Sequence, residues 1–342
     1  MNTLLNRDQF KEVVFKRNGY KCVVCGKQAQ DAYHIIDRSL WDNGGYYANN
    51  GVSLCEEHHI QAEQTIISCK KLREMSEISE KVYPEHFYIE EEYDHWGNIV
   101  KPDGTRIKGE LYNNDNVQKI LPKHIKDCFL NYIKYPRTYH VPYSENLQND
   151  DKMHDNIDFF IGKEVVVSVK LDGENSSLYS NYIHARSVDS KHHESRDWIK
   201  SFHAKIKHEI PENWRFCGEN LYAEHSIRYN NLDSYFYLFN IWNENNEALS
   251  WDDTVEYANM LNINIVPEIY RGVWDKDKIH DAYLNYCSKS PDPVEGYVIR
   301  ITDKIPYRDY RRCTAKFVRK SHVTTDQHWM TKKVVRNGLK NS

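Results

Sequence analysis

The clearest hydrophobic pattern in the chain is Val167-Ser168-Val169-Lys170-Leu171-Asp172-Gly173-Glu174-Asn175. Its β-branched run predicts a buried strand that delivers Lys170 into a tight Lys-x-Asp-Gly turn, with Gly173 allowing the sharp bend. From about residue 157 to about 325 the pattern stays strand-rich with interspersed helices. Residues 1–80 alternate short helices with a Gly/Asn-rich loop. Residues 84–116 predict a hairpin, with Phe87-Tyr88-Ile89 and Arg106-Ile107-Lys108 flanking turns at Trp96-Gly97-Asn98 and Pro102-Asp103-Gly104. A helix is expected near Val117–Lys134, and the Pro-, Asn- and Asp-rich residues 136–156 read as a linker. The expected domains are therefore 1–83, a hairpin, helix and linker region of unknown role over 84–156, a third over 157–325, and a basic tail over 326–342. There is no internal repeat or low-complexity segment.

Composition adjusts this picture only in places. With 342 residues, 40% hydrophobic and 28% charged, the chain has the size and balance of two or three globular domains. The net charge of −4 hides a polarity: twelve Lys/Arg against three Asp/Glu lie between Arg300 and Ser342, and eight acids against three bases between Glu85 and Asp115. A basic end on a near-neutral protein suits a polyanionic partner, although a solvated charged face has the same composition. No 18-residue apolar run occurs, and Met-Asn-Thr-Leu-Leu-Asn-Arg-Asp does not read as a signal peptide. A soluble cytoplasmic protein with no membrane association is expected, and nothing implies an obligate protein partner. In that setting the eight cysteines are metal ligands or free thiols rather than disulfides. Cys69, Cys128, Cys217 and Cys287, each alone in an apolar context, are expected to be buried, and Cys313 receives no role.

Two clusters carry candidate chemistry. Cys22-Val-Val-Cys25 and Cys55-Glu-Glu-His58 have the paired spacing of a structural zinc knuckle, whose four ligands close a tetrahedral Zn²⁺ site and support a thin core. The second is Lys170. A lysine attacks phosphorus only as the neutral amine, so it needs a site that disfavours its charged form, which a strand end could supply by desolvation. By itself Lys-x-Asp-Gly is also a common surface turn. The run Lys191-His-His-Glu-Ser-Arg-Asp-Trp198 lacks the spacing of a closed metal site. It is expected either at a nucleic-acid surface, with Arg196 available to a phosphate, or as a helix start at Ser195.

Around the first cluster lie Asp31-Ala-Tyr-His34-Ile-Ile-Asp37-Arg38, Asn49-Asn50-Gly-Val-Ser-Leu-Cys55, and His59 with Glu63 one turn later. This stretch, about residues 15–66, resembles the HNH endonuclease family, whose ββα fold holds one divalent metal against a scissile phosphate. The resemblance implies His34 as general base, Asn50 orienting across the loop and contributing to the metal site, His59 as metal ligand, and Glu63 as a second ligand on the same helix face. Tyr33 stands where the family usually has a metal-binding His or Asp, and Asp31 or Asp37 could compensate. The alternative is a zinc-stabilised nucleic-acid-binding module that does not cleave.

After Lys170 come Tyr182-Ile-His-Ala-Arg186-Ser187, Trp214-Arg-Phe-Cys-Gly218-Glu219-Asn220-Leu221-Tyr222, Ser234-Tyr-Phe-Tyr-Leu-Phe239-Asn-Ile-Trp242, Val294-Glu295-Gly296-Tyr297-Val298-Ile299-Arg300 and Ala315-Lys316-Phe317-Val318-Arg319. In this order the blocks resemble the covalent nucleotidyltransferase superfamily, most closely its ATP-dependent RNA ligases. The fold class implied is α+β: an antiparallel-sheet nucleotidyltransferase domain preceded by a small ββα-metal, HNH-like zinc domain. The resemblance implies ATP-dependent joining of a 5′-phosphate to a 3′-hydroxyl through a lysyl-AMP on Lys170, with Mg²⁺ or Mn²⁺. The nucleotide would be bound by Asp172, Gly173, Asn175, Arg186 (towards the terminal nucleotide's phosphate), Glu219 (ribose), Phe239 (stacking on adenine), Glu295 (also the divalent metal) and Lys316 (α-phosphate). Tyr235 and Tyr237 alternate with Phe239, so the stacking residue is open among the three.

Two positions depart from the family. Val318 replaces a second lysine, whose part Arg319 or Lys320 could take, and Asn240 replaces an acid after the stacking aromatic. The 22 residues after Lys320, with Thr324, Asp326, His328 and Trp329, are too few for the OB-fold domain of DNA ligases and capping enzymes. The partner expected is nucleic acid, RNA ahead of DNA. The alternatives are a DNA ligase, an HNH module that only docks the ligase, or a nuclease with a degenerate ligase core.

Overall fold

The computed structural model describes residues 3–145, 147, 151–320 and 334–340, so Thr324, Asp326, His328 and Trp329 lie outside the described residues. The chain divides into two units, Met1–Asn131 and Tyr132–Ser342. That division falls inside the stretch 84–156 that the sequence pattern treats as one region. Among the described residues no helix is long and apolar enough to cross a membrane.

In the first unit a capping box between Asn6 and Gln9 starts helix α1 (Arg7–Arg17), which buries Phe10 and Val14, one turn apart. Strands β1 (Asp31–His34) and β2 (Gly51–Leu54) form an antiparallel pair, with His34 opposite Gly51. α1 lies so close to β2 that a Cβ on Gly51 would come within 2.4 Å of Val14. Helices α2 (Glu56–Glu63) and α3 (Cys69–Met75) follow.

The expected hairpin is a three-stranded meander of two-residue strands, β3 (Glu92–Tyr93), β4 (Ile99–Val100) and β5 (Arg106–Ile107). Phe87-Tyr88-Ile89 is not a strand; Phe87 instead packs on Tyr93 at 4.0 Å between ring centres. Buried Asp94 accepts from the Trp96 and Asn98 amides and pairs with Arg106 at 2.8 Å, which fixes the first turn. The single helix expected over Val117–Lys134 is two short ones, α4 (Asp115–Ile120) and α5 (Lys123–Lys126). Pro122 separates them, because proline lacks a donor and disfavours helical backbone in the residue before it.

The second unit has strands β6 (Tyr139–His140), β7 (Glu164–Lys170), β8 (Glu174–Leu178) and β9 (Ile183–Ala185) before helix α6 (Asp197–Ile206). β10 (Arg215–Asn220), β11 (Phe236–Trp242) and β12 (Glu247–Ala248) precede α7 (Trp251–Met260) and β13 (Glu268–Val273). Then come α8 (Lys276–Lys289), β14 (Gly296–Ile301), β15 (Ile305–Pro306), α9 (Tyr310–Cys313) and β16 (Thr314–Val318). They form a five-stranded sheet, β13-β7-β14-β16-β6, and a six-stranded sheet, β15-β12-β11-β10-β8-β9. Every pairing is antiparallel except β6 with β16.

β7 explains its own sequence. Val165, Val167 and Val169 pack towards Ile279 and Tyr283 of α8, while Val166 packs with Leu221, Tyr237 and Trp251 on the opposite face. Both faces are buried, so the strand reads as a continuous apolar run rather than an alternation. The outer face of β8, β10 and β11 is covered by Ile199 of α6 and Ala258 of α7. Tyr139–His140, expected in a linker, is a strand of the five-stranded sheet. Cys69 and Cys217 are buried as expected, but Cys128 and Cys287 are half-buried, and all eight thiols are free.

Candidate active site

In the first unit, Cys22 and Cys25 leave the loop before β1, Cys55 sits at the start of α2, and His58 lies in that helix's first turn. Their ligand atoms all lie within 4.8 Å of one another. Cys25 Sγ stands 3.8 Å from Cys55 Sγ, Cys22 Sγ is 3.5 Å from His58 Nδ1, and Cys55 Sγ is 3.2 Å from the same nitrogen. A tetrahedral site with metal–sulfur bonds of about 2.3 Å has sulfur–sulfur edges of about 3.8 Å, so the four residues could hold one metal ion without rearrangement.

The residues expected beside it do not all converge. Successive residues of a strand point to opposite faces. Asp31 and Tyr33 face α2, where His59 Nδ1 meets Asp31 Oδ2 at 3.1 Å, His59 Nε2 meets Glu63 Oε1 at 3.3 Å, and the Tyr33 ring packs edge-on against His59. His34 faces α1 and stacks on Phe10 at 4.5 Å. His59 and Glu63 thus meet, and His34 stands on the other side of the pair.

Asn50 is a structural clamp rather than a metal ligand. It is fully buried; its Nδ2 donates to the Ile36 and Gly45 carbonyls at 3.1 Å each, and its Oδ1 accepts the Ile36 amide at 2.9 Å. Asp37 caps the turn at Ser39.

Burial lowers the His34 pKa to about 4. Between that value and the ordinary pKa near 6.5 the folded chain binds fewer protons than the unfolded one, so stability is lost as pH falls through this window. His34→Phe is expected to reduce the drop in urea-unfolding stability between pH 7 and pH 4 by an upper figure of about 3 kcal/mol. An unchanged drop would show that another group titrates.

In the second unit, Lys170 ends β7 opposite Gly296 of β14. A Cβ on Gly296 would lie 1.9 Å from the Phe317 carbonyl, so glycine is required where β14 passes β16, directly after Glu295. Lys170 Nζ donates to Glu295 Oε2 at 2.5 Å, and Glu295 is only 4% exposed. Burial alone would lower the lysine's pKa, but Glu295, Glu219 and Asp172 outweigh it and hold the amine above its ordinary value. The strand end therefore does not by itself favour the neutral amine. Burial and the neighbouring carboxylates push Glu219 up to about 8, and it accepts the Gly173 amide at 3.1 Å.

Lys170, Gly173 and Glu219 line a cavity of about 590 Å³, within the range of small-molecule sites, and Glu295 meets its wall through the hydrogen bond to Lys170. Phe239 reaches it through a β-bulge: Gly218 pairs with Leu238 and Cys217 with Asn240, so Phe239 has no partner on β10. Of the three aromatic candidates Phe239 alone lines this cavity, since the Tyr235 hydroxyl donates to the Asn337 carbonyl and the Tyr237 hydroxyl accepts the Asp233 amide. Asn175, opposite Glu219, presents a buried Oδ1 without a hydrogen bond, and exposed Arg186 forms part of the rim. Lys316 Nζ donates to Asp151 at 3.2 Å, and its pKa is lowered by burial and then by Lys170.

Four expectations change. Asp172 faces away from the cavity; its Oδ2 accepts the Ser226 and Ile227 amides at 2.7 Å each. Gly173 is needed for close packing rather than an unusual φ, because a Cβ there would lie 2.6 Å from the Asn220 carbonyl. Arg196 is not free for a phosphate, since its guanidinium forks onto Glu174, with Nε at 2.7 Å. Neither Arg319 nor Lys320 lines the cavity at the position left by buried Val318. Asn240 donates to the Tyr135 and Tyr310 hydroxyls at 3.1 Å each and accepts from buried Arg300 at 2.9 Å.

Residues 163–318 match the RNA ligase family model. No curated protein sequence matches the chain. Among solved structures the chain is similar to a Naegleria gruberi RNA ligase variant without ligand (18% identity over 54% of this chain and 57% of that one, TM-score 0.36). It is also similar to another variant of that protein with ATP and Mn (18%, 54% and 57%, TM-score 0.34) and to an archaeal ATP-dependent RNA ligase (11%, 55% and 48%, TM-score 0.37). The chain thus spans less than two thirds of the first of these relatives.

The RNA ligase match runs from just before β7 to the end of β16, yet the cavity extends beyond it. Tyr135, Arg137, Thr138 and Asp151 also line it, and Tyr135 packs edge-on against Phe239 at 5.2 Å. Polar, proline-containing sequence gave no signal for them. Arg300 was in view as part of a conspicuous block but was not singled out.

Proposed function

We propose that the second unit is an ATP-dependent polynucleotide ligase acting on RNA ahead of DNA. The observation that carries this is Lys170 at the wall of a nucleotide-sized cavity, among Glu219, Glu295, Phe239 and Lys316, inside the segment that matches RNA ligases. Lys170 Nζ bonds to the α-phosphorus of ATP as the bond to the bridging oxygen breaks and pyrophosphate leaves. The amine first gives a proton to Glu295, its 2.5 Å hydrogen-bond partner. Lys316 neutralises phosphate charge, Glu219 holds the ribose, and Phe239 stacks on the base. AMP then passes to a 5′-phosphate end, and a 3′-hydroxyl displaces it to form the phosphodiester. Glu295 and the unbonded Asn175 Oδ1 would hold Mg²⁺ or Mn²⁺, which would supply further charge neutralisation.

For the first unit we propose a Zn²⁺ site on Cys22, Cys25, Cys55 and His58 in an HNH-like module that docks nucleic acid. Docking is favoured over cleavage because His34 and the His59–Glu63 pair lie on opposite faces of β1 and β2.

Four matched nicked duplexes test the substrate, with an RNA or DNA 3′-hydroxyl strand against an RNA or DNA 5′-phosphate strand. Joining confined to an RNA 3′-hydroxyl side is expected. Equal or better joining of a DNA 3′-hydroxyl would overturn the RNA assignment, and no joining of any duplex would overturn nick sealing.

A further inference from the structure

Residues 334–340 lie outside the RNA ligase match and contribute nothing to the cavity wall, yet they are bound tightly to the loop that grips the lysine turn. Asn337 is 1% exposed and uses its whole polar surface. Its Nδ2 donates to the Leu221 carbonyl at 2.9 Å and the Ala223 carbonyl at 3.3 Å, and its Oδ1 accepts the Tyr229 amide at 2.9 Å. Its backbone amide donates to Tyr222 and its carbonyl accepts the Tyr235 hydroxyl. Next to it, the Gly338 amide donates to the Tyr229 carbonyl at 2.8 Å, and a Cβ on Gly338 would come 3.1 Å from Asn230 Cα. Leu339 packs in the same apolar cluster as Tyr229 and Leu171.

The loop held in this way binds the turn at three points. The Tyr229 hydroxyl accepts the Asp172 amide at 2.9 Å, and the Ser226 and Ile227 amides both donate to Asp172 Oδ2. A series of buried and half-buried hydrogen bonds therefore runs from Asn337 through Tyr229 to Asp172, two residues from Lys170.

We propose that residues 334–340 are a positioning strap, with Asn337 and Tyr229 as positioning residues that fix the Lys170 turn for attack. The inference rests on Lys170 being the nucleophile. Geometry at a reacting centre is sensitive enough that a displacement of about 1 Å can cost up to about a hundredfold in rate.

The full chain is tested as wild type, Asn337→Ala, Tyr229→Phe (which removes only the hydroxyl) and Lys278→Ala, a control at the exposed ion pair with Asp275 at the start of α8, outside the strap. Three readouts are compared: hydrogen exchange across residues 171–174, the rate of lysyl-AMP formation with its ATP half-saturation, and sealing of a strand already carrying a 5′-adenylate, where Lys170 is not the nucleophile. For Tyr229→Phe and Asn337→Ala, faster exchange and lysyl-AMP formation slowed about tenfold or more are expected. Half-saturation should stay within about twofold and sealing of the adenylated strand should persist. Lys278→Ala should match wild type. Unchanged exchange overturns the strap, and so does an equal loss of adenylated-strand sealing, which would mark general damage. If the wild type forms no lysyl-AMP, the ligase reading falls and positioning of a nucleophile falls with it. If the wild type forms it and the variants keep the wild-type rate, positioning alone falls.

Discussion

Lys170→Ala is expected to leave the protein unable to carry AMP: with ATP labelled at the α-phosphate, label resistant to denaturant falls by more than about a thousandfold. On the proposed reaction, removing the amine removes the attacking atom, and its hydrogen-bond partner, Glu295, cannot replace it. Alanine also leaves Glu295 buried without its cation, so loss of folding would give the same result. Lys170→Arg separates the two. Arginine keeps a positive charge for Glu295 but is not deprotonated at working pH. It should fold, hold thermal stability near wild type, and still carry no AMP. Retained labelling in Lys170→Arg would sink the assignment of Lys170 as nucleophile, whatever the alanine variant does.

The second large effect belongs to the Cys/His cluster. The protein should contain one Zn²⁺ per chain, and Cys55→Ala or a strong chelator should remove amide protection from residues 18–63. Zinc binding to such sites contributes on the order of 10 kcal/mol, comparable to the 5–15 kcal/mol that stabilise a whole domain. Here Cys22 and Cys25 belong to a loop, Cys55 begins α2 and His58 lies in its first turn, so the metal would tie the loop to the helix. His59 and Glu63 follow on the same helix and would lose their place with it. Full protection in the presence of chelator, with no metal bound, would show that α1 and the β1–β2 pair hold the unit together without it.

What the sequence made legible depends on how local the cause was. The strand at Val165–Lys170 was visible because burial on both faces writes itself as a valine run broken only by Ser168. The four Cys/His residues were visible because two-residue spacings close one site whatever the surrounding fold. Asp172 was misread because its partners, the Ser226 and Ile227 amides, lie more than fifty residues away. Phe239 could not be separated from Tyr235 and Tyr237 because a bulge breaks the alternation, and bulges leave no residue-type mark here. The opposed faces of Tyr33 and His34 were within reach of the sequence, since adjacent residues of a strand diverge. Family spacing drew attention to the pair instead.

The parallel pairing of β6 with β16 has a consequence for handling the protein as well as for its chemistry. β16 stands between β14 and β6, and the Val141 and Glu145 amides bond to the Lys316 and Val318 carbonyls. A chain trimmed to begin at residue 157, where the strand-rich pattern starts, would leave Thr314–Val318 as an open sheet edge of mostly apolar residues. Such edges recruit strands from other molecules. The trimmed protein would thus be prone to aggregation even with every cavity-lining side chain of the matched segment in place.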